Sequence, residues 1–125
     1  MRKLMSFLFI ATLLLVACNN SELSIQEVES VPSEVQDRIN TDYTLQLIND
    51  SEKGDAYIIF QSKGTVTTEL ELKDNRLDIK LDQTSQDHSS LKQYVYKITR
   101  GDTEYDTINV LLNGKATPLD NVSGF

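Results

Sequence analysis

From Thr65 to Asp82 the chain alternates. Val66, Thr68, Leu70 and Leu72 are separated by Thr67, Glu69 and Glu71, and beyond Asp74-Asn75 the pattern resumes with Leu77, Ile79 and Leu81 between Asp78, Lys80 and Asp82. A period of two sends successive side chains to opposite faces of an extended strand. One face is then apolar and the other carries charges of both signs, which predicts a half-exposed antiparallel hairpin turned at Asp74-Asn75. Its register is tightly specified, because a slip of one residue would bury the charges.

Shorter signals of the same kind flank the hairpin. Tyr43, Leu45 and Leu47 alternate with polar residues, and residues 49–55 form a turn cluster containing Gly54. The continuous apolar run Tyr57-Ile58-Ile59-Phe60 predicts a strand buried on both faces. Lys63-Gly64 reads as a two-residue hairpin turn and residues 83–90 as a polar loop. Tyr94, Tyr96 and Ile98 share one face of a further strand. Ile108, Val110 and Leu112 mark the next, followed by the strong turn signal Asn113-Gly114 and a brief edge strand over 116–119 that contains Pro118. Ahead of the strands, Pro32 through Asn40 has the caps and spacing of a short helix, with Val35 and Ile39 on one face to cover an end of the sheet. The expected fold is mainly β: a short N-terminal helix followed by six or seven antiparallel strands in a sandwich or small barrel, forming one domain over residues 31–125.

The N-terminus carries an address. Arg2 and Lys3 precede an apolar run from Leu4 to Val16, 13 residues interrupted by Ser6 and Thr12. That length suits the apolar region of a secretory signal and falls short of the ~20 residues a membrane-spanning helix needs. The run ends in Leu15-Val16-Ala17-Cys18, which resembles the lipobox of bacterial lipoproteins. The resemblance implies cleavage between Ala17 and Cys18 and a diacylglyceryl thioether on Cys18, which would fix the protein to the extracytoplasmic face of the cell membrane. Residues 1–17 are then signal peptide and 18–30 a lipidated tether, with the covalent lipid in place of any cofactor. Cys18 is the single cysteine, so the exported domain holds no disulfide.

Without residues 1–17 the formal charge changes from −7 to −9, because Arg2 and Lys3 leave with them. An acidic surface of this kind disfavours nucleic acid and anionic lipid as direct partners. It suits a solvated domain held off the bilayer by its anchor.

Candidate chemistry is sparse. His88 sits in Gln86-Asp87-His88-Ser89-Ser90 beside an acid and hydroxyls. Catalytic relays, however, converge from separate elements of a rigid frame, so sequence neighbours in one loop read as a solvated stretch. Asp82, Asp87 and His88, or Asp102, Glu104 and Asp106, could face a cation, but neither group has the spacing or the glycine bend of a calcium loop. A zinc site would need more His or Cys than this domain contains. The isolated glycines form no phosphate cradle. Arg100-Gly101-Asp102 matches an integrin-adhesion tripeptide, but between two strands it reads as ordinary turn chemistry. Tyr94 and Tyr96 could form an exposed aromatic patch for a peptide or sugar, or fill a core that lacks Trp; Ile98 on the same face favours the core.

The segments Tyr57-Ile58-Ile59-Phe60, Lys63-Gly64-Thr65-Val66 and Val110-Leu111-Leu112-Asn113-Gly114-Lys115 resemble the small β-domains of uncharacterised lipoproteins from low-GC Gram-positive bacteria. Some of those carry a peptidyl-prolyl isomerase label, yet no residue here matches a cyclophilin, parvulin or FK506-binding-protein site. The order of the long hairpin and Tyr94-Val95-Tyr96 is also similar to small domains linked to protease-complex inhibition, a likeness of strand order alone. The expected function is a membrane-anchored, non-enzymatic interaction or envelope module that meets an envelope protein or peptide. The alternative is an extracytoplasmic foldase or hydrolase, which would need polar groups converging on His88 or on an acidic pair.

Overall fold

The computed structural model describes residues 23–86 and 90–125. Its elements in chain order are β1 (Ser24–Glu27), α1 (Ser33–Gln36), β2 (Leu45–Asn49), β3 (Ala56–Ser62), β4 (Gly64–Lys73), β5 (Arg76–Gln86), β6 (Lys92–Thr99), β7 (Thr107–Leu112), β8 (Lys115–Ala116) and β9 (Asn121–Gly124). They form two sheets with strand orders β1-β6-β3-β2-β9 and β4-β5-β7-β8. The sheets stack on a shared core in a sandwich-like arrangement, and neither closes into a barrel. No helix among the described residues is long and apolar enough to cross a membrane.

The hairpin forms as its alternation demands. Val66 faces Gln83, Leu70 faces Ile79 and Leu72 faces Leu77 across β4 and β5, and Asp74 takes the left-handed backbone conformation at the turn (φ 56°). Leu77, Ile79 and Leu81 are buried against Leu45, Leu47, Ile58, Phe60, Tyr94, Tyr96 and Ile98 of the opposite sheet. The uninterrupted apolar run of β3 is buried on both faces. Ile58 and Phe60 point into the inter-sheet core, while Tyr57 and Ile59 join Val35, Ile48 and Val95 in a second cluster on the outer face. That outer cluster is covered by Val28, Val31 and Ile39 from the N-terminal segment and by Phe125.

Several expectations are corrected. Two of the pairings are parallel, β5 with β7 and β2 with β9. The first follows from the route of the chain: after β5 it crosses to the other sheet as β6, and on returning it runs in the direction it had before. Among the described residues the strands number nine, because β1, β8 and β9 add edge strands of two to four residues. Such strands are specified by the neighbour they pair with and carry too few residues to display a period.

Lys63-Gly64 does not turn a hairpin. β3 and β4 lie in different sheets, and the chain passes between them at Lys63. The corner is held by hydrogen bonds: Gly64 N–H donates to Ser62 Oγ at 2.9 Å, Ser62 Oγ donates to Gln83 Oε1, and Tyr94 Oη donates to the Gly64 carbonyl at 2.7 Å. The first part of the stretch 83–90 is not loop, since β5 continues through Gln86 to pair with Gly64 past an irregularity between Gly64 and Val66, and residues 87–89 lie outside the described residues.

The helix expected over 32–40 is a single turn. It still places fully buried Val35 and half-buried Ile39 on the sheet, over its outer face instead of its end. Gln46 ties the segment down, donating from Nε2 to the Asn40 carbonyl (2.9 Å) and accepting the Asn40 N–H at Oε1 (3.2 Å). The stretch read as a tether contributes β1: Leu23 and Ile25 pack on the core, and the strand pairs with β6.

Candidate functional site

β6 runs for eight residues, but β1 covers only its C-terminal half, with Ser24 opposite Thr99 and Glu27 opposite Tyr96. The last bond of this pairing is from Val28 N–H to the Val95 carbonyl at 2.8 Å. There the chain leaves the sheet and climbs over its outer face toward α1. In an antiparallel ladder, residues alternate in the side to which they turn their N–H and C=O. Val95 turns these groups toward β1, so Gln93, two residues earlier, does the same, into the space that β1 has vacated. No backbone hydrogen bond reaches Gln93 from that side among the described residues.

A cleft of about 670 Å³ lies over this open edge, lined by Glu27, Val28, Glu29, Val31, Gln36 and Gln93 together with Lys92 and Val95. Its origin is local. Glu27, Val28 and Glu29 belong to the departing chain, Gln36 ends the helical turn, and Gln93 and Val95 are outward-facing residues of β6. Val28 and Val31 pack over buried Val95 at the base of the cleft, and its exposed lining is mainly polar, with two glutamates and Lys92. Neither Glu27 nor Glu29 enters an ion pair among the described residues. The Lys92 ammonium lies 4.8 Å from the centroid of the Tyr94 ring. Beside the strand end, Leu91 is 58% exposed, unusual for a large apolar side chain in this molecule.

The residues singled out in the sequence do not gather here. Ala17, Cys18, Asp87 and His88 lie outside the described residues. Tyr94 and Tyr96 are buried between the sheets and stacked with ring centroids 6.1 Å apart, so they form no surface patch. Their burial follows from register, because the alternate face of β6 is the inner one. Burial pushes the Tyr96 phenol above its usual range, and its hydroxyl has no hydrogen-bond partner among the described residues.

Arg100-Gly101-Asp102 is a turn, as expected, with Gly101 at φ 62° and Thr103 N–H donating to the Arg100 carbonyl at 3.1 Å. Arg100 is occupied: its guanidinium donates to the carbonyls of Thr103 and Tyr105 and lies 4.8 Å from the Tyr105 ring centroid. Among the described residues no group of three or more His, Cys, Asp or Glu is disposed to hold a metal ion, and this includes Asp102, Glu104 and Asp106.

Periodicity missed buried polar groups, Gln46 and Asp78 among them. Asp78 lies on the charged face of the hairpin yet is only 2% exposed. The parallel strand β7 places Asn109 directly opposite it, and Asn109 Nδ2 approaches its carboxylate at 3.4 Å. Arg76 grips the same carboxylate with Nε at 2.9 Å and Nη2 at 3.2 Å. This fork, aided by Asn109, holds the Asp78 carboxyl below its usual range. Glu71, across the strand pair from Asp78, is held down likewise by Lys80, whose ammonium is 2.8 Å away. Each of these two carboxylates has its cation, so the group braces the sheet.

Compared with protein-family models, with curated proteins and with solved structures, the chain finds no match.

Proposed function

We propose that this protein is a lipid-anchored module of the extracytoplasmic membrane face that binds another envelope protein or peptide and carries out no catalysis. The anchor is the diacylglyceryl thioether on Cys18 formed with cleavage after Ala17, as the sequence Leu15-Val16-Ala17-Cys18 implies. The observation that carries the binding role is the open backbone edge of β6 at Gln93, set beneath a cleft whose two glutamates enter no ion pair among the described residues. Exposed strand edges are how small β-domains take up extended peptides.

The start of β1 supports the same reading. Ser24 lies six residues after Cys18, so the bilayer would be no more than on the order of 20 Å from that end of the sheet. The end near the anchor is the one where Ser24 meets Thr99 and Ala56 meets Ile98 and Asn49. The cleft opens at the other end of β1, the end farther along the chain from the anchor.

The test is a pull-down from intact envelopes, comparing the native protein with Cys18→Ala. The native form is expected in the membrane fraction with a specific partner, and the variant is expected to be released from the membrane. If both forms fractionate alike, the anchor is wrong. If the native form is anchored and retains nothing, the binding role fails.

A further inference from the structure

We infer that the notch beside Gln93 takes an extended, positively charged segment of a partner protein, which adds to β6 as a strand and continues the line that β1 abandons at Val28. The inference rests on the interaction-module reading and names the partner's chemistry. Backbone groups of Gln93 facing the notch give the pairing its direction, since an unpaired edge strand templates a further strand. Val28 and Val31 would receive one alternate side chain of the segment, and exposed Leu91 would cover the next.

Charge selects the class of segment. Glu27 and Glu29 edge the notch, enter no ion pair among the described residues and outnumber the Lys92 ammonium in its lining, and the chain as a whole carries a formal charge of −7. Lys or Arg on the incoming strand would meet these carboxylates, whereas an acidic segment would be repelled. The same repulsion disfavours a second copy of this acidic chain as the occupant.

The experiment uses the full chain in detergent micelles and a fluorescein-labelled ten-residue peptide of alternating valine and lysine. Two control peptides replace lysine with glutamate or carry N-methyl groups on alternate backbone amides. Saturable binding of the basic peptide is expected, weakening as salt rises. Glu27→Gln combined with Glu29→Gln should weaken it roughly fivefold or more. The N-methylated peptide should bind about tenfold more weakly, because its backbone can no longer pair along one edge. That control leaves the protein unaltered, so a fold defect cannot imitate the result.

Equal binding of the basic and glutamate peptides overturns the charge selection, and indifference to N-methylation overturns strand addition. Absence of binding by the basic peptide up to about 1 mM overturns the proposal as a whole. So does self-association of the chain that the basic peptide fails to reverse while itself remaining unbound. A specific partner in the envelope pull-down together with failure of the peptide leaves the module reading standing and removes only this inference.

Discussion

Tyr94 reaches across the sandwich to donate its phenolic hydrogen to the carbonyl of Gly64, 2.7 Å away, at the point where the chain passes from one sheet to the other. Tyr96, two residues on and stacked against it, is buried with an unpartnered hydroxyl. Two adjacent tyrosines thus perform opposite roles, and the difference can be measured. Tyr94→Phe leaves a buried carbonyl without its donor and is expected to cost about 1–2 kcal/mol in urea unfolding. Tyr96→Phe removes an unsatisfied group and is expected to be neutral or stabilising. Equal losses from the two substitutions would show that the Tyr96 hydroxyl has a partner after all.

Ile58 and Ile59 lie on opposite faces of β3, and both are fully buried. Truncation of either to alanine leaves a cavity and is expected to cost about 2–5 kcal/mol. The Ile59 variant should in addition loosen the cover formed by Val31, Val35 and Ile39. Hydrogen exchange reads this directly: amides of residues 35–39 are expected to exchange faster in Ile59→Ala than in Ile58→Ala, and equal rates would contradict the two-cluster arrangement.

The carboxylates of Asp78 and Glu71 are both held below their usual range, by Arg76 and Lys80 respectively. A lowered folded-state pKa means that the unfolded chain binds protons first as pH falls. Their contribution to stability is therefore present above the ordinary carboxylate range and is lost as pH drops through the folded-state values. The urea midpoint is expected to fall between pH 6 and pH 3, approximate limits that bracket the carboxylate range. Asp78→Asn should flatten that dependence while lowering the midpoint at neutral pH. A variant with the parent's full acid sensitivity would assign the effect to other groups.

Gly114 takes a backbone angle of +81° beside Asn113 at +52°, the pair that a tight hairpin turn requires. A Cβ at Gly114 meets nothing within 4 Å, so any cost of substitution is backbone strain alone. Gly114→Ala is expected to destabilise by roughly 1 kcal/mol, and a larger loss in thermal or urea unfolding would imply contacts not present here.

The hairpin of β4 and β5, the doubly buried strand β3 and the Asn113-Gly114 turn were legible in the chain because each is a local property. Alternation, an unbroken apolar run and a residue pair suited to positive φ are written in a few consecutive residues. What the tertiary structure decided was pairing. Val66 to Leu72 shows which face is buried without showing that Lys63 is a corner between sheets, because strand partners are chosen by contacts distant in sequence. Asp78 resembled its exposed neighbours until β7 came alongside in parallel and set Asn109 against it. The cleft was illegible for the same reason. It exists because β1 stops at Glu27 while β6 begins at Lys92, so its open edge at Gln93 belongs to the mismatch between two strands and to neither sequence alone.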